Sequence, residues 1–324
     1  MFMTIRLKSN ENSDNSFQLF EKELSSKPRN FLENLGLYRK FNSSENIILS
    51  DEVVVGISLV SSGLFFNGSI FLYDRRKKEF TERQYQTIFH LGYSFQGKPE
   101  NGFWTFDRKS TRLSYRSDFT LEHGYLHASV VDSSLNLQLD ALTNLSYKNA
   151  AKVASTFELN SGIIYSERVI GFPCQGVVSW NDKVYDFSPK TDRLFSFFSM
   201  GQTSEFQDIS LYFFGMPKKS GTIAGYFSNR LDLKNRSENT VWINGLPVSS
   251  ESPDFNLNKS QKTCVMRTRG GTELRFIPEN YIVQKKAGKF LPEDKYKVFG
   301  KVSGAIRSGK KSETIKDVNA FLEF

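Results

Sequence analysis

The sequence predicts an all-β protein, built as two sequential antiparallel β-barrels or sandwiches with little helix. Three observations carry this reading. Well over a dozen short runs rich in β-branched and aromatic residues are separated by glycine or polar clusters, the spacing of an antiparallel meander. No long stretch has a dominant 3.6-residue period. A flat sheet of that many strands would have to curl or split, which divides the 324-residue chain into two bodies. They are expected at 51–150 and 151–324, meeting near the mildly linker-like Tyr147–Lys152, after an irregular segment over 1–50.

Each element follows from local chemistry. Asn10–Ser16 is polar, Phe17–Leu24 forms a short helix with Phe17 and Phe20 on one face, and Lys27-Pro28 ends it. From Asp51 the texture changes: Val53–Val60 is a β-branched run, and Leu64–Leu72 follows the turn at Ser61–Gly63. Gln86–Phe95, Phe103–Asp107, Arg112–Phe119, Thr120–Val131 and Leu135–Leu142 continue the meander. Val153–Leu159, Gly162–Ile170, Gly176–Trp180 and Lys183–Phe187 open the second half, with Asn181-Asp182 as a two-residue turn. Phe195–Met200, Asp208–Phe214, Gly221–Ser228 and Val241–Ile243 come next. Gly270-Gly271 marks a hairpin between Thr263–Thr268 and Glu273–Ile277. Tyr281–Lys286, Lys295–Ile306 and Ala320–Phe324 close the chain, and Gly300 and Gly304 predict bulges or bends.

Composition narrows the function classes. The net charge of +8 is modest at this length, and the runs at Arg75–Lys78 and Lys285–Lys316 match no nucleic-acid motif; no nucleic-acid partner is expected. The first residues lack the apolar core of a signal peptide, and no apolar run reaches the length of a membrane span. These point to the cytoplasm. Cys174 and Cys264 are too few for a disulfide framework or a metal site; a single bridge and two free thiols fit equally. His90, His123 and His127 lie on strands, without the helix that an H-x-x-x-H pair needs. No nucleophile elbow, P-loop or dinucleotide fingerprint is present, so no metal or cofactor is expected.

Two polar clusters interrupt apolar strand texture: Tyr165-Ser166-Glu167-Arg168, and Ser237-Glu238-Asn239-Thr240 followed by Val241-Trp242-Ile243. Buried polar groups in a barrel must be paired. The partner is either a ligand or a strand-end hydrogen-bond network.

Several segments, in order, resemble one family. They are Phe172–Phe187 ("FPCQGVVSWNDKVYDF"), Glu238–Asn244 ("ENTVWIN"), Glu273–Pro278 ("ELRFIP"), Val298–Gly304 ("VFGKVSG") and Phe321–Glu323 ("FLE"), with Gly56–Tyr73 and Leu121–Ser129 upstream. Together, over roughly 35–324, they are similar to the bacterial domain of unknown function 2804 family, itself related to tandem lipocalin-like proteins such as carotenoid hydratases and tocopherol cyclases. The resemblance implies two lipocalin-like barrels side by side and an apolar cavity that holds one small ligand. The chain departs from the family at Phe195-Ser196-Phe197, where a Trp-x-Trp pair is usual, and at Tyr165-Ser166-Glu167-Arg168, where Tyr-Thr-x-Lys is usual.

The leading expectation is a binding module for an apolar or amphipathic small molecule, lipid-like, with Asn239, Trp242, Phe195 and Phe197 as ligand contacts. An enzyme reading uses acid–base chemistry on an apolar substrate, as in a hydratase or cyclase. Glu238 is then the acid, with Tyr165 and Arg168 orienting or stabilising charge. A third reading takes the basic Lys285–Lys316 region as a surface for anionic membranes or a protein partner.

Overall fold

The computed structural model describes residues 40–62, 65–88, 92–98, 101–108, 111–118, 123–132, 135–144, 152–159, 162–202, 209–216, 221–229, 238–244, 246–284, 295–308 and 311–324. The expected helix at Phe17–Leu24, His90 and Lys285–Lys286 lie outside these residues. The described residues hold twenty-two strands and no helix, and every ladder is antiparallel. Among the described residues no helix is long and apolar enough to cross a membrane.

The first sheet has thirteen strands. Its first wing is β1 (Lys40–Leu49), β2 (Val53–Ser62), β3 (Phe65–Asp74) and β4 (Glu79–Ile88). The second wing is β5 (Tyr93–Lys98), β6 (Asn101–Arg108), β7 (Thr111–Asp118), β8 (His123–Asp132) and β9 (Leu135–Asn144). It is completed by β10 (Lys152–Leu159), β11 (Gly162–Trp180), β12 (Lys183–Phe187) and β13 (Arg193–Gln202). The spatial order is β4-β3-β2-β1-β13-β11-β9-β8-β7-β6-β5, with β10 and β12 both pairing on β11. The sheet curls until its two wings meet through side chains. Phe106 of β6 stacks on Phe66 of β3 at 5.5 Å, and Tyr85 of β4 donates to Asp132 at 3.0 Å.

The second sheet has nine strands: β14 (Ser210–Gly215), β15 (Ile223–Ser228), β16 (Thr240–Ile243), β17 (Leu246–Ser249), β18 (Asp254–Asn258), β19 (Thr263–Arg267), β20 (Glu273–Gln284), β21 (Lys295–Ser308) and β22 (Lys311–Glu323). Its order is β17-β16-β15-β14-β22-β21-β20-β19-β18. The winding repeats that of the first. A four-strand ladder runs to one edge, the chain crosses to the other edge, and the return closes on the starting strand.

Three sequence expectations change. The change of sheet falls between Gln202 and Ser210, because β11 and β13 close the first sheet onto β9 and β1. Residues 40–49, expected to be irregular, form β1. The Gly162–Ile170 and Gly176–Trp180 runs are one strand, bent by a bulge between Val169 and Phe172. Gly171 sits there at φ +70°. The extra residue shifts the inward positions from Ile163 and Tyr165 to Cys174 and Val178. The hairpin at Asn181-Asp182, the one around Gly270-Gly271, and a bulge beside Gly304 are present as read.

Strand alternation sorts the core into three. One cluster fills the first sheet's concave side, including Leu59, Trp104, Tyr115 and Tyr165. Another fills the second, including Phe213, Phe227, Phe276 and Val302. A third lies between the bodies, where outward residues of both sheets meet: Phe71, Phe195 and Phe197 face Tyr212, Phe299 and Phe321. Cys174 and Cys264 are free thiols buried in the first and second cores respectively, which rules out a bridge between them.

Candidate functional site: the seam between the barrels

The seam is built by period two. On β1, Glu45 and Ile47 point to the seam while Ser44 and Asn46 point into the first barrel. On β13, Phe195 and Phe197 point to the seam and Leu194 and Phe198 inward. Glu45 and Arg168 both pair in register with Phe197, so the three side chains form one row across β1, β13 and β11. From the second sheet come Tyr212, Tyr226 and Trp242, with Lys297, Phe299 and Lys301 along β21 and Asn319, Phe321 and Glu323 along β22.

Aromatic rings dominate the middle. Tyr212 stacks on Phe321 at 4.3 Å and lies 4.6 Å from Phe197 and 5.0 Å from Tyr226. Phe195 meets Phe321 edge-on at 5.5 Å, and Phe71 meets Phe299 at 5.5 Å. Such pairs add about 0.5–1.5 kcal/mol each beyond the area they bury. The Trp242 indole N–H is buried here without an acceptor.

Charged groups border the rings. Arg168 donates from Nε to Glu238 Oε2 at 2.8 Å, and Ser166 donates from Oγ to Glu238 Oε1 at 3.0 Å. The ion pair is nearly sealed, with side-chain exposures of 7% and 2%. The Arg168 guanidinium also lies over Tyr226 at 4.6 Å and Phe197 at 5.8 Å. Burial, the largest single influence, opposes its charge, but the Glu238 carboxylate with its hydrogen bond and the neighbouring Tyr226 and Tyr212 together outweigh burial, so Arg168 holds its proton more firmly than an ordinary arginine. Nearby, Lys297 pairs with Glu45 and with Glu323, the latter at 2.9 Å. Burial, with Glu323 beside it, pushes the Tyr212 hydroxyl far above its usual range and keeps it neutral. Each carboxylate oxygen of Glu238 accepts one hydrogen bond from the first body, so the side chain links the two bodies at this point.

A family model for a domain of unknown function, DUF2804, matches residues 35–324. The chain belongs to the DUF2804 family. No curated protein matches the sequence. Among solved structures, kievitone hydratase from Nectria haematococca is similar over 89% of this chain and 88% of that one, at 10% identity and TM-score 0.56. CghA is similar over 88% of each chain, at 9% identity and TM-score 0.54. CghA with Sch210972 gives 8% identity and TM-score 0.50 over the same shares. These are lipocalin-like tandem-barrel proteins, and at such identity the likeness shows the fold.

Among the DUF2804 residues singled out in sequence, Glu238, Arg168, Trp242, Phe195 and Phe197 belong to the seam. Tyr165 does not. It stands three positions from Arg168, so alternation turns it into the first barrel, where its hydroxyl donates to Glu167. Asn239 is a clamp instead: its Oδ1 accepts from the Ser228 backbone at 2.6 Å and its Nδ2 donates to the Glu251 carbonyl at 3.4 Å. Sequence reasoning missed Glu45, Tyr212, Lys297 and Glu323. His127 lies away from the seam on β8, with Nδ1 2.5 Å from Asp140.

Proposed function

We propose that this DUF2804 chain binds one small apolar or amphipathic molecule, lipid-like, along the aromatic seam between its two barrels. The observation that carries the reading is Trp242: a buried indole N–H with no acceptor, set in an otherwise aromatic wall. An unpaired buried donor costs about 1–3 kcal/mol, and a ligand carbonyl or hydroxyl oxygen supplies what is missing. The two bodies belong to separate sheets, so widening the seam costs side-chain contacts and no strand ladder. The aromatic rings then suit the apolar body of the ligand.

Acid–base catalysis ranks second. It would use Glu238 as the acid, yet Arg168 and Ser166 already occupy both carboxylate oxygens. A hydratase among similar structures does not transfer a reaction at 10% identity. The basic-surface reading loses Lys297, which is buried and pairs with Glu45 and Glu323.

Native mass spectrometry after incubation with a total lipid extract tests the proposal. One apolar species per chain is expected, with retention reduced in Trp242→Phe at unchanged melting temperature. A protein that stays empty, or equal retention in the variant, overturns the site.

A further inference from the structure

The seam runs between two charged ends that differ in how well they are satisfied. At one end Lys297 faces two carboxylates, Glu45 and Glu323. At the other, Arg75 follows β3 in the hairpin that leads to β4. Its Nη1 donates to Asn319 Oδ1 at 2.8 Å, and Lys301 Nζ donates to the same oxygen at 2.6 Å. Two cations thus share one neutral acceptor. The nearest carboxylate, Glu279, is 3.9 Å from each, beyond hydrogen-bond reach. The Arg75 side chain is only 9% exposed, and its Nε and Nη2 are buried with no partner. These two atoms form the side-on edge of the guanidinium, the edge that grips two oxygens of one carboxylate or phosphate in parallel.

The other seam arginines leave no whole edge vacant. Arg168 is paired with Glu238. Arg193 has only Nε unpartnered, its two Nη atoms donating to the carbonyls of Pro189, Asp192 and Lys190 while the guanidinium lies 4.3 Å over Phe214. Arg75 is also next to the aromatic middle. Lys301 and Asn319 are cross-strand partners, and two residues along the same strands stand Phe299 and Phe321, with Phe71 packed on Phe299.

From this juxtaposition we infer that Arg75 and Lys301 form an oxyanion site that takes the acidic head of the seam's ligand. The inference rests on the seam-binding reading and narrows it: the ligand is an amphipathic acid, its carboxylate or phosphate held by the Arg75 Nε–Nη2 edge and by Lys301, its apolar body on Phe71, Phe299 and Phe321. Glu279 is the built-in competitor. It is one-third exposed and swings outward when the ligand's anion arrives. Arg75 and Lys301 together outweigh it by one positive charge, which suits a monoanionic head.

The test uses calorimetric titration of the full chain with three probes: dodecanoate, dodecanol and inorganic phosphate. Dodecanoate is expected to bind about tenfold or more tightly than dodecanol, the effect of a charge-assisted hydrogen-bonded pair. Arg75→Met should erase that preference. Arg75→Lys should keep the charge and lose most of the preference, which guards against a misfolded Met variant. Glu279→Gln should tighten dodecanoate and leave dodecanol unchanged. Equal binding of acid and alcohol, unaffected at Arg75, overturns the oxyanion site and leaves the seam reading standing. Arg75-dependent binding of phosphate with no binding of either dodecyl probe supports the site for a free anion and overturns the seam reading. No binding by any probe overturns both.

Discussion

Replacing Glu238 by Gln separates a tether from a catalytic acid. The substitution keeps the shape of the side chain and its contact with Ser166 but leaves the Arg168 guanidinium charged and uncompensated inside the seam. Breaking a buried pair by removing one partner costs about 3–5 kcal/mol. Tyr226 and Phe197, 4.6 and 5.8 Å from the guanidinium, remain, and a desolvated cation–π contact offsets about 2 kcal/mol of that. The expected loss is therefore about 1–3 kcal/mol. Urea denaturation followed by tryptophan fluorescence reads it as a lower midpoint. The double variant Glu238→Gln/Arg168→Met removes the stranded charge and should recover most of the loss. A single variant as stable as the parent refutes the tether, as does a double variant no better than the single. The first outcome would return Glu238 to the role of an acid free to act on a substrate.

Other perturbations address separate parts of the argument. Gly171→Ala forces a left-handed conformation on a residue with a side chain and sets its Cβ 2.6 Å from the Phe214 ring; a loss of about 1–2 kcal/mol is expected, and a neutral melting curve would show that the bulge does not fix the seam. Asp74 is buried, which opposes its charge, but hydrogen bonds from the Lys77 and Arg76 backbone and from the Tyr185 hydroxyl outweigh this and hold its carboxyl below the usual value. A lowered folded-state value gives stability that is present at neutral pH and is lost as pH falls below about 4; Asp74→Asn should reduce the urea midpoint at pH 7 and flatten its acid slope, and an unchanged slope would refute this. Burial pushes the Cys174 and Cys264 thiols up to about 12, so neither should react with Ellman's reagent until the chain unfolds; rapid reaction of the native protein would contradict their burial.

The sequence made the strand texture legible and hid what depends on partners distant in the chain. β1 reads as irregular because its first half, with Asn42, Ser43, Ser44 and Glu45, is polar on both faces. The structure gives the cause: Ser44 and Asn46 reach Tyr115 inside the first barrel, while Glu45 meets Lys297 in the seam. β11 reads as two strands because Gly171, Pro173 and Gly176 punctuate it, yet a bulge absorbs them. Tyr165 and Arg168 are close in sequence, but a separation of three in a strand places them on opposite faces. The Leu211-Tyr212-Phe213-Phe214 run carries the signal that marks the seam. A strand apolar on both faces is covered on both faces, and Tyr212 and Phe214 face the seam while Leu211 and Phe213 fill the second barrel.

That last pattern bears on why the two bodies stay together. They share a winding, yet their interiors differ. The second barrel's core is apolar, with Phe213, Phe227 and Phe276 at its centre. The first carries polar groups among its apolar ones: Tyr115 with Ser44 and Asn46, and Tyr165 with Glu167. The outward faces are the unusual feature. An antiparallel sheet packed on one side ordinarily shows alternating polar residues to water on the other. Here β3, β13, β14, β21 and β22 carry Phe71, Phe195, Phe197, Tyr212, Phe299 and Phe321 at those outward positions. Separating the bodies would expose this aromatic patch and part Arg168 from Glu238 and Lys297 from Glu45, penalties that act together. The tandem is therefore expected to unfold as one cooperative unit. The seam's ion pairs fix which face meets which, and the aromatic middle, held by no strand ladder, is the part with freedom to exchange ring contacts for a ligand.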